Sequence, residues 1–372
     1  MEKYTARLEK VWDWMAREGI SLVMLEDSEG RRDNNIRWLT GHPNDALLFL
    51  SADRKALLAA WDINLAKLSA RPPVMIAAYN DFDRNPRKAA AAIIKKMGIS
   101  AGSKIEIPAV TPYPVFLDYV GDLTDFDVLC REKSAGGEIR KLRAVKDEDE
   151  INITRNAAQI TNELIELLEE NVRNGKIKTE ADAALIIEVE CRKRGCEGTS
   201  FGTLAAGTGR SFAIHAFPGW TFAPFAEKGL SILDFGVNLN GYSTDVTLTF
   251  ARDLDSKQEI ITDLVKKAYE KALSMAHNGT PARDIAAAVD KIFSKSKKSM
   301  PHGLGHGIGL DAHEYPVLRN SGENEWILEP GMIFTVEPGL YDQNIGGCRL
   351  ENDVLITETG PEVLTNSRIV LL

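Results

Sequence analysis

Residues 231–250 read SILDFGVNLNGYSTDVTLTF, and this stretch predicts a pair of strands in the C-terminal part of the chain. The dipeptide Asn240-Gly241 between two alternating runs is a strong signal for a two-residue hairpin turn. With that turn, Asp234 and Asp245 lie on the same face of the hairpin. Two such carboxylates repel each other unless a cation lies between them, although a solvated hairpin face is the commoner explanation for this element alone.

A glycine-rich segment, residues 302–316 (HGLGHGIGLDAHEYP), contains three of the six histidines of the chain. Alternating glycines leave one side of the backbone bare, which favours close approach by a ligand or by another backbone. A single histidine is usually structural, but His302, His306 and His313 among glycines indicate a site. Imidazole beside carboxylates suits Mn, Co, Fe or Zn. The spacing is not that of an HExxH helix.

Two further glutamates lie in apolar strand-like runs, Glu337 in residues 332–341 and Glu351 in residues 347–357. A carboxylate in a buried sheet needs a partner, because an unpaired buried charge is very costly. For either glutamate alone, an ion pair with Arg349 and metal binding are equally good explanations.

The candidate ligands add up to four carboxylates and one histidine, which is more negative charge than one divalent ion requires. A site for two metal ions is therefore expected, and such a site can activate water and polarise a carbonyl. Amide hydrolysis is the obvious use, since none of the four cysteines has a histidine nearby in sequence that would make it a nucleophile.

The pattern along the chain predicts two domains. Residues 1–133 alternate helical and strand patterns, as in an α/β domain. Residues 134–372 predict an α+β domain, with helices near 147–172, 179–194, 256–276 and 281–295 packed on a mainly antiparallel sheet.

Composition excludes several classes of function. The chain has 372 residues and a formal net charge of -9, which argues against nucleic acid as its main partner. No apolar run approaches the roughly 20 residues of a membrane span, and no secretory signal is evident. The four cysteines form no CxxC pair, so a cytoplasmic protein with reduced thiols is expected.

The order of the five candidate ligands, together with the motifs GHGIG, HEYP, EPGLY and RLEND, resembles that of the pita-bread metallopeptidases. That family includes methionine aminopeptidase, aminopeptidase P and prolidase. The resemblance covers residues 136–372 and implies a C-terminal pita-bread fold with helices on a curved sheet. Residues 35–41 (NIRWLTG) are similar to the creatinase-type N-terminal domain, which prolidases and aminopeptidases P possess.

The resemblance implies a role for each ligand. Asp234 would bind one metal ion through both oxygens, and Asp245 and Glu351 would bridge the pair. His306 and Glu337 would complete the shell of the other ion. Manganese is favoured among Mn, Co, Zn and Fe.

Catalytic roles are implied in the same way. Glu337 would also accept a proton from the bridging water, and His313 would steady the substrate carbonyl. His215 matches a family histidine on the substrate side, and His302 and Arg349 also fall on family positions.

The expected function is hydrolysis of X-Pro peptide bonds by a cytoplasmic homodimer, most simply as an Xaa-Pro dipeptidase acting on small peptides. An Xaa-Pro aminopeptidase is the main alternative. A metal-free creatinase-like hydrolase and a non-enzymatic interaction module are less compatible with five intact ligands. The chain departs from the family at Leu248, where an arginine is usual, and in the segment around Trp220.

Overall fold

A computed structural model describes residues 2–372, which form two compact units. The first unit ends at Leu142 and the second spans Arg143–Leu372. The first unit thus extends past the boundary predicted after residue 133. A short helix within residues 134–142 belongs to it, because the Asn35 side-chain amide donates a hydrogen bond to the Gly136 carbonyl.

The N-terminal unit is an α/β structure built on one six-stranded sheet. Its helices are α1 (Glu2–Glu18), α2 (Asn34–Thr40), α3 (Ile63–Ser69), α4 (Pro86–Met97), α5 (Tyr113–Asp122) and α6 (Ala135–Leu142), with a 3-10 helix at Tyr79–Phe82. Its strands are β1 (Leu22–Asp27), β2 (Ala46–Ser51), β3 (Lys55–Ala60), β4 (Met75–Ala78), β5 (Lys104–Glu106) and β6 (Asp127–Leu129). The strand order is β4-β3-β2-β1-β5-β6. Antiparallel pairing in the β1–β2–β3 meander gives way to parallel pairing towards both edges.

The C-terminal unit has four long helices and several small sheets. The helices are α7 (Glu148–Arg173), α8 (Glu180–Lys193), α9 (Ser256–Met275) and α10 (Ala282–Lys295). The first strands are β7 (Gly198–Thr199), β8 (Leu204–Ala206), β9 (Gly229–Phe235), β10 (Val237–Leu239), β11 (Tyr242–Ser243) and β12 (Val246–Arg252). They are followed by β13 (Gly305–Gly307), β14 (Glu314–Leu318), β15 (Ile333–Val336), β16 (Gly339–Asp342), β17 (Gly346–Arg349), β18 (Asn352–Thr357), β19 (Gly360–Val363) and β20 (Ile369–Leu371).

Two sheets of this unit carry most of the candidate ligands. One has the order β20-β12-β9-β8 and the other β14-β13-β15-β18-β19. Pairing is antiparallel except between β12 and β20, which are parallel. An isolated bridge between Thr247 and Glu351 joins the two sheets at the position where the acidic residues lie.

The predicted hairpin forms with its predicted turn and register. Asn240 and Gly241 have φ of 51° and 88°, as a two-residue hairpin turn requires. Leu239 pairs with Tyr242 at the turn. Further from it, Asp234 pairs with Thr247.

The hairpin is nevertheless divided between two sheets, which its sequence does not reveal. The ladder breaks at Gly236, where a Cβ atom would lie 1.8 Å from the Thr244 carbonyl oxygen. Beyond the break, the backbone N–H of Asp245 donates to the Asp353 carboxylate at 3.1 Å. The interruption therefore turns Asp245 towards β18 and its neighbours.

The apolar face of the hairpin forms the core of this half of the unit. Its five members, Leu233, Phe235, Val246, Leu248 and Phe250, are buried together with apolar side chains of α7 and α8. The opposite face, which carries Asp234 and Thr247, is left to polar groups. None of the helices in residues 2–372 is both long and apolar enough to cross a membrane.

We expect Gly236→Ala to destabilise the protein by about 2 kcal/mol or more, because the added methyl group overlaps the backbone of residue 244. The free energy of unfolding in urea measures this. Gly209→Ala is the matched control, since no heavy atom outside the neighbouring residues lies within 4 Å of its added Cβ. Equal stability of the two variants would contradict the assignment of the break to close packing.

Candidate metal centre

One cavity of about 720 Å³ in the C-terminal unit gathers all nine residues that the sequence predicted as metal ligands or catalytic groups. Its lining includes Asp234, Asp245, His306, Glu337 and Glu351, together with His215, His302, His313 and Arg349. Residues separated by more than 130 positions in sequence therefore meet at one site.

The candidate ligands come from neighbouring strands or strand ends. Asp234 lies in β9, and Asp245 directly precedes β12, its partner strand. His306 lies in β13, Glu337 directly follows β15, and Glu351 directly precedes β18. Because β13, β15 and β18 are adjacent in one sheet, their ligands reach the same cavity.

The donor atoms are close enough to share a cation. One ligand atom each of Asp245, His306 and Glu351 lies within 4.8 Å of the other two. The Nε2 atom of His306 is 3.7 Å from Asp245 Oδ2 and 3.5 Å from Glu337 Oε1. Asp234 Oδ1 is buried and has no hydrogen-bond partner in the described chain, so it is free to bind a metal ion.

The electrostatics of the carboxyl groups also fit a bound cation. Burial raises the pKa of Asp245 and of Glu337 well above their ordinary values, and the neighbouring Glu351 carboxylate raises both further. Burial followed by repulsion from Asp234 raises the pKa of Glu351 to about 7. Such shifts show that the negative charges lack compensation from the protein, and divalent cations would supply it.

The histidines are held in the neutral form that can bind a metal ion. Burial lowers the pKa of His306 to about 4 and that of His302 to about 4. The His313 ring lies 4.0 Å from the His306 ring, centroid to centroid, and burial lowers its pKa as well. A hydrogen bond of 3.0 Å joins His302 Nε2 and the Tyr341 hydroxyl.

Arg349 resolves an alternative that the sequence left open. Its guanidinium donates to Asp234 Oδ2 at 2.6 Å and to the Tyr341 hydroxyl at 2.8 Å. No ion pair joins it to Glu351 or Glu337 in the described residues, so neither glutamate has arginine as its partner. Glu351 instead accepts a hydrogen bond at 2.6 Å from the hydroxyl of Thr247.

Sequence reasoning missed three residues that support the ligands. Thr247 connects Glu351 to Arg349, whose Nε donates to the threonine hydroxyl at 2.9 Å. Asp353 is fully buried and orients Asp245 through its backbone. Tyr341 contacts His302 and Arg349. Strand alternation could have identified Thr247 and Asp353, since each shares a face with a candidate ligand.

Comparison with known proteins gives the same indication as the geometry. The model of a family described as metallopeptidase family M24 matches residues 152–358. A Bacillus subtilis relative, named provisionally as the dipeptidase YkvY, is 30% identical over 368 residues, or 96% of this chain and 97% of that protein. The Xaa-Pro dipeptidase of Pyrococcus horikoshii is 26% identical over 377 residues, and the alignment spans the full length of both proteins.

A solved structure extends the similarity to the whole fold. Recombinant prolidase from Thermococcus sibiricus superposes with a TM-score of 0.84 at 27% identity, covering 99% of both chains. Fold and site thus define a peptidase of the class that uses divalent metal ions. The chain belongs to metallopeptidase family M24. The predicted two-domain α/β plus α+β architecture with a C-terminal pita-bread fold is confirmed.

We expect metal binding to the metal-free protein at pH 7 to release protons. Carboxyl groups with raised pKa values hold protons at this pH and must lose them to bind a cation, so affinity should increase from pH 6 to pH 8. Calorimetric titration with Mn²⁺ in two buffers of different ionisation enthalpy measures the release. Identical heats in both buffers would contradict it.

Proposed function

We propose that the protein is a two-metal Xaa-Pro dipeptidase. The observation that carries the proposal is the convergence of four carboxyl groups and His306 on one cavity, with close donor atoms and an orphaned oxygen on Asp234. The relatives named as Xaa-Pro dipeptidases from Pyrococcus horikoshii and Pyrococcus furiosus support the substrate class.

The proposed ligands are the five residues predicted from sequence: Asp234, Asp245, His306, Glu337 and Glu351. Five ligands with four negative charges suit two divalent ions better than one, since a single ion would leave buried charge uncompensated. Mixed nitrogen and oxygen ligands are compatible with Mn, Co, Zn or Fe, and we favour manganese.

The bound ions would lower the pKa of a water molecule and polarise the scissile carbonyl. The protein residues would do the rest. Glu337 has an oxygen within the ligand cluster and would accept the proton of the attacking water. His313 lines the cavity beside His306 and would donate a hydrogen bond to the carbonyl oxygen.

Three further residues would orient these groups and the substrate. Arg349 fixes Asp234 through its short charged hydrogen bond, and Tyr341 couples the guanidinium to His302. His215 lines the same cavity and would contact the substrate.

Arg319 favours a dipeptidase over an aminopeptidase. It lines the cavity, and its exposed guanidinium makes no ion pair with another residue of the described chain. A cation at this position would bind the C-terminal carboxylate of a dipeptide. A longer peptide places an uncharged peptide bond there and gains nothing from the charge.

We expect the Mn²⁺-loaded protein to hydrolyse Gly-Pro and Ala-Pro and to lose this activity on metal removal by a chelator. Asp245→Asn should lower kcat by more than about a hundredfold, because it removes a ligand rather than a supporting group. Asp263→Asn on the exposed surface of α9 is the matched control. No cleavage of any X-Pro peptide with Mn, Co, Zn or Fe would overturn the proposed function.

Arg319→Gln tests the length of the substrate. We expect the KM for Gly-Pro to increase by about tenfold, because a charged hydrogen bond to the carboxylate is lost. Cleavage of an X-Pro tripeptide should change little, and Arg283→Gln on the exposed surface of α10 should change neither. An equal effect on dipeptide and tripeptide would favour the aminopeptidase.

We further propose a homodimer, as the family resemblance implies, and a cytoplasmic location, as the four cysteines without a CxxC pair suggest. Light scattering coupled to size exclusion would give the mass of the assembly, to be compared with 41.0 kDa for one chain.

A further inference from the structure

Leu248 and the segment around Trp220, the two places where the family resemblance is weakest, have different locations in the structure. Leu248 is fully buried in the apolar core beneath the hairpin and does not line the cavity. Trp220 lines the cavity directly. The segment around Trp220 is therefore the departure that can influence substrate binding.

This segment adds an apolar wall to a cavity that otherwise carries charge. The apolar lining consists of Phe201, Leu204, Ile214, Ala216, Phe217, Trp220 and Val317. Phe217 is 96% exposed and Trp220 is 39% exposed. The Phe222 ring packs edge-on against the Trp220 ring, with 6.4 Å between the ring centroids. Large apolar side chains left exposed at a cavity are typical of a binding surface.

The wall is held in place by a buried carboxylate, Glu180, at the start of α8. Glu180 is fully buried and accepts hydrogen bonds from Thr221, at 2.7 Å from the backbone N–H and 2.6 Å from the hydroxyl. Its other oxygen accepts the Gly207 N–H at 2.7 Å. The residue after Trp220 is thus fixed to a helix.

The residues before Trp220 are fixed as well. The Gly219 carbonyl accepts the backbone N–H of Ala205 in β8 at 2.8 Å. Arg210 donates to the Pro218 carbonyl and also forms an ion pair with Glu180 at 3.2 Å. Backbone attachment on both sides pre-organises the indole, so little conformational entropy is lost when a substrate packs against it.

We propose that Trp220, positioned by Glu180, determines specificity by binding a large apolar side chain of the substrate residue that precedes proline. This inference rests on the proposed function, since it concerns the X of an X-Pro dipeptide. The proline ring is the same in every such substrate, so a variable side chain is the part on which an apolar wall can discriminate. Phe-Pro and Leu-Pro should be preferred to Gly-Pro.

The test compares kcat/KM for Phe-Pro and Gly-Pro in the wild type and in Trp220→Ala. We expect the preference for Phe-Pro to fall by about tenfold in the variant, with Gly-Pro changed by less than about twofold. Trp220→Phe should retain most of the preference, because an aromatic surface remains. Leu185→Ala, at an exposed apolar position of α8 outside the cavity, is the control and should leave the preference unchanged.

Thr221→Val tests the role of Glu180 without altering the wall itself. It removes the hydroxyl donor to the carboxylate, and the preference for Phe-Pro should fall while hydrolysis of Gly-Pro is retained. An unchanged preference in Trp220→Ala, or an equal loss for both dipeptides, would overturn the inference while leaving the proposed function intact. Failure of the wild type to cleave either dipeptide would instead overturn the proposed function.

Discussion

The burial of several carboxyl groups in one place is the constraint on which the C-terminal unit depends. Asp245, Glu351 and Asp353 are almost completely buried, and Asp234 and Glu337 are largely so. Among the described residues, only Asp234 of these five forms an ion pair with a guanidinium. Uncompensated charge in such surroundings is strongly unfavourable, so these carboxyl groups retain protons in the metal-free protein and ionise fully only when cations are bound.

The surrounding structure positions this charge rather than neutralising it. Two sheets meet at the bridge between Thr247 and Glu351, and hydroxyl and backbone donors orient the carboxylates without adding positive charge. Arg349 is the exception, and its bond to one oxygen of Asp234 leaves the other oxygen available. The cavity wall is built in a similar way, because Glu180 orders the backbone around Trp220 and leaves the indole exposed.

Much of this could be predicted from the sequence, because local patterns determine local structure. The Asn240-Gly241 turn predicts the register that places Asp234 opposite Thr247, and alternation predicts the apolar face packed on α7 and α8. The convergence of β13, β15 and β18 does not follow from local pattern. It depends on pairing between distant segments, and the order of the motifs predicted it through family resemblance rather than through physical reasoning.

Other features could not be predicted, since they arise from tertiary contacts. The break at Gly236 depends on the approach of the Thr244 carbonyl, and the partner of Arg349 depends on β9 lying beside β17. The end of the first unit at Leu142 likewise reflects packing of α6 that its polar, glycine-containing sequence did not indicate.

The central claim is that the carboxyl cluster exists to bind two divalent ions. Equilibrium dialysis of the metal-free protein against Mn²⁺, followed by elemental analysis, measures it most directly. We expect wild-type protein to retain two ions per chain and Asp245→Asn, in which a proposed ligand is replaced, to retain at most one. A wild-type protein that binds less than one ion per chain, or a variant that still binds two, would contradict the account.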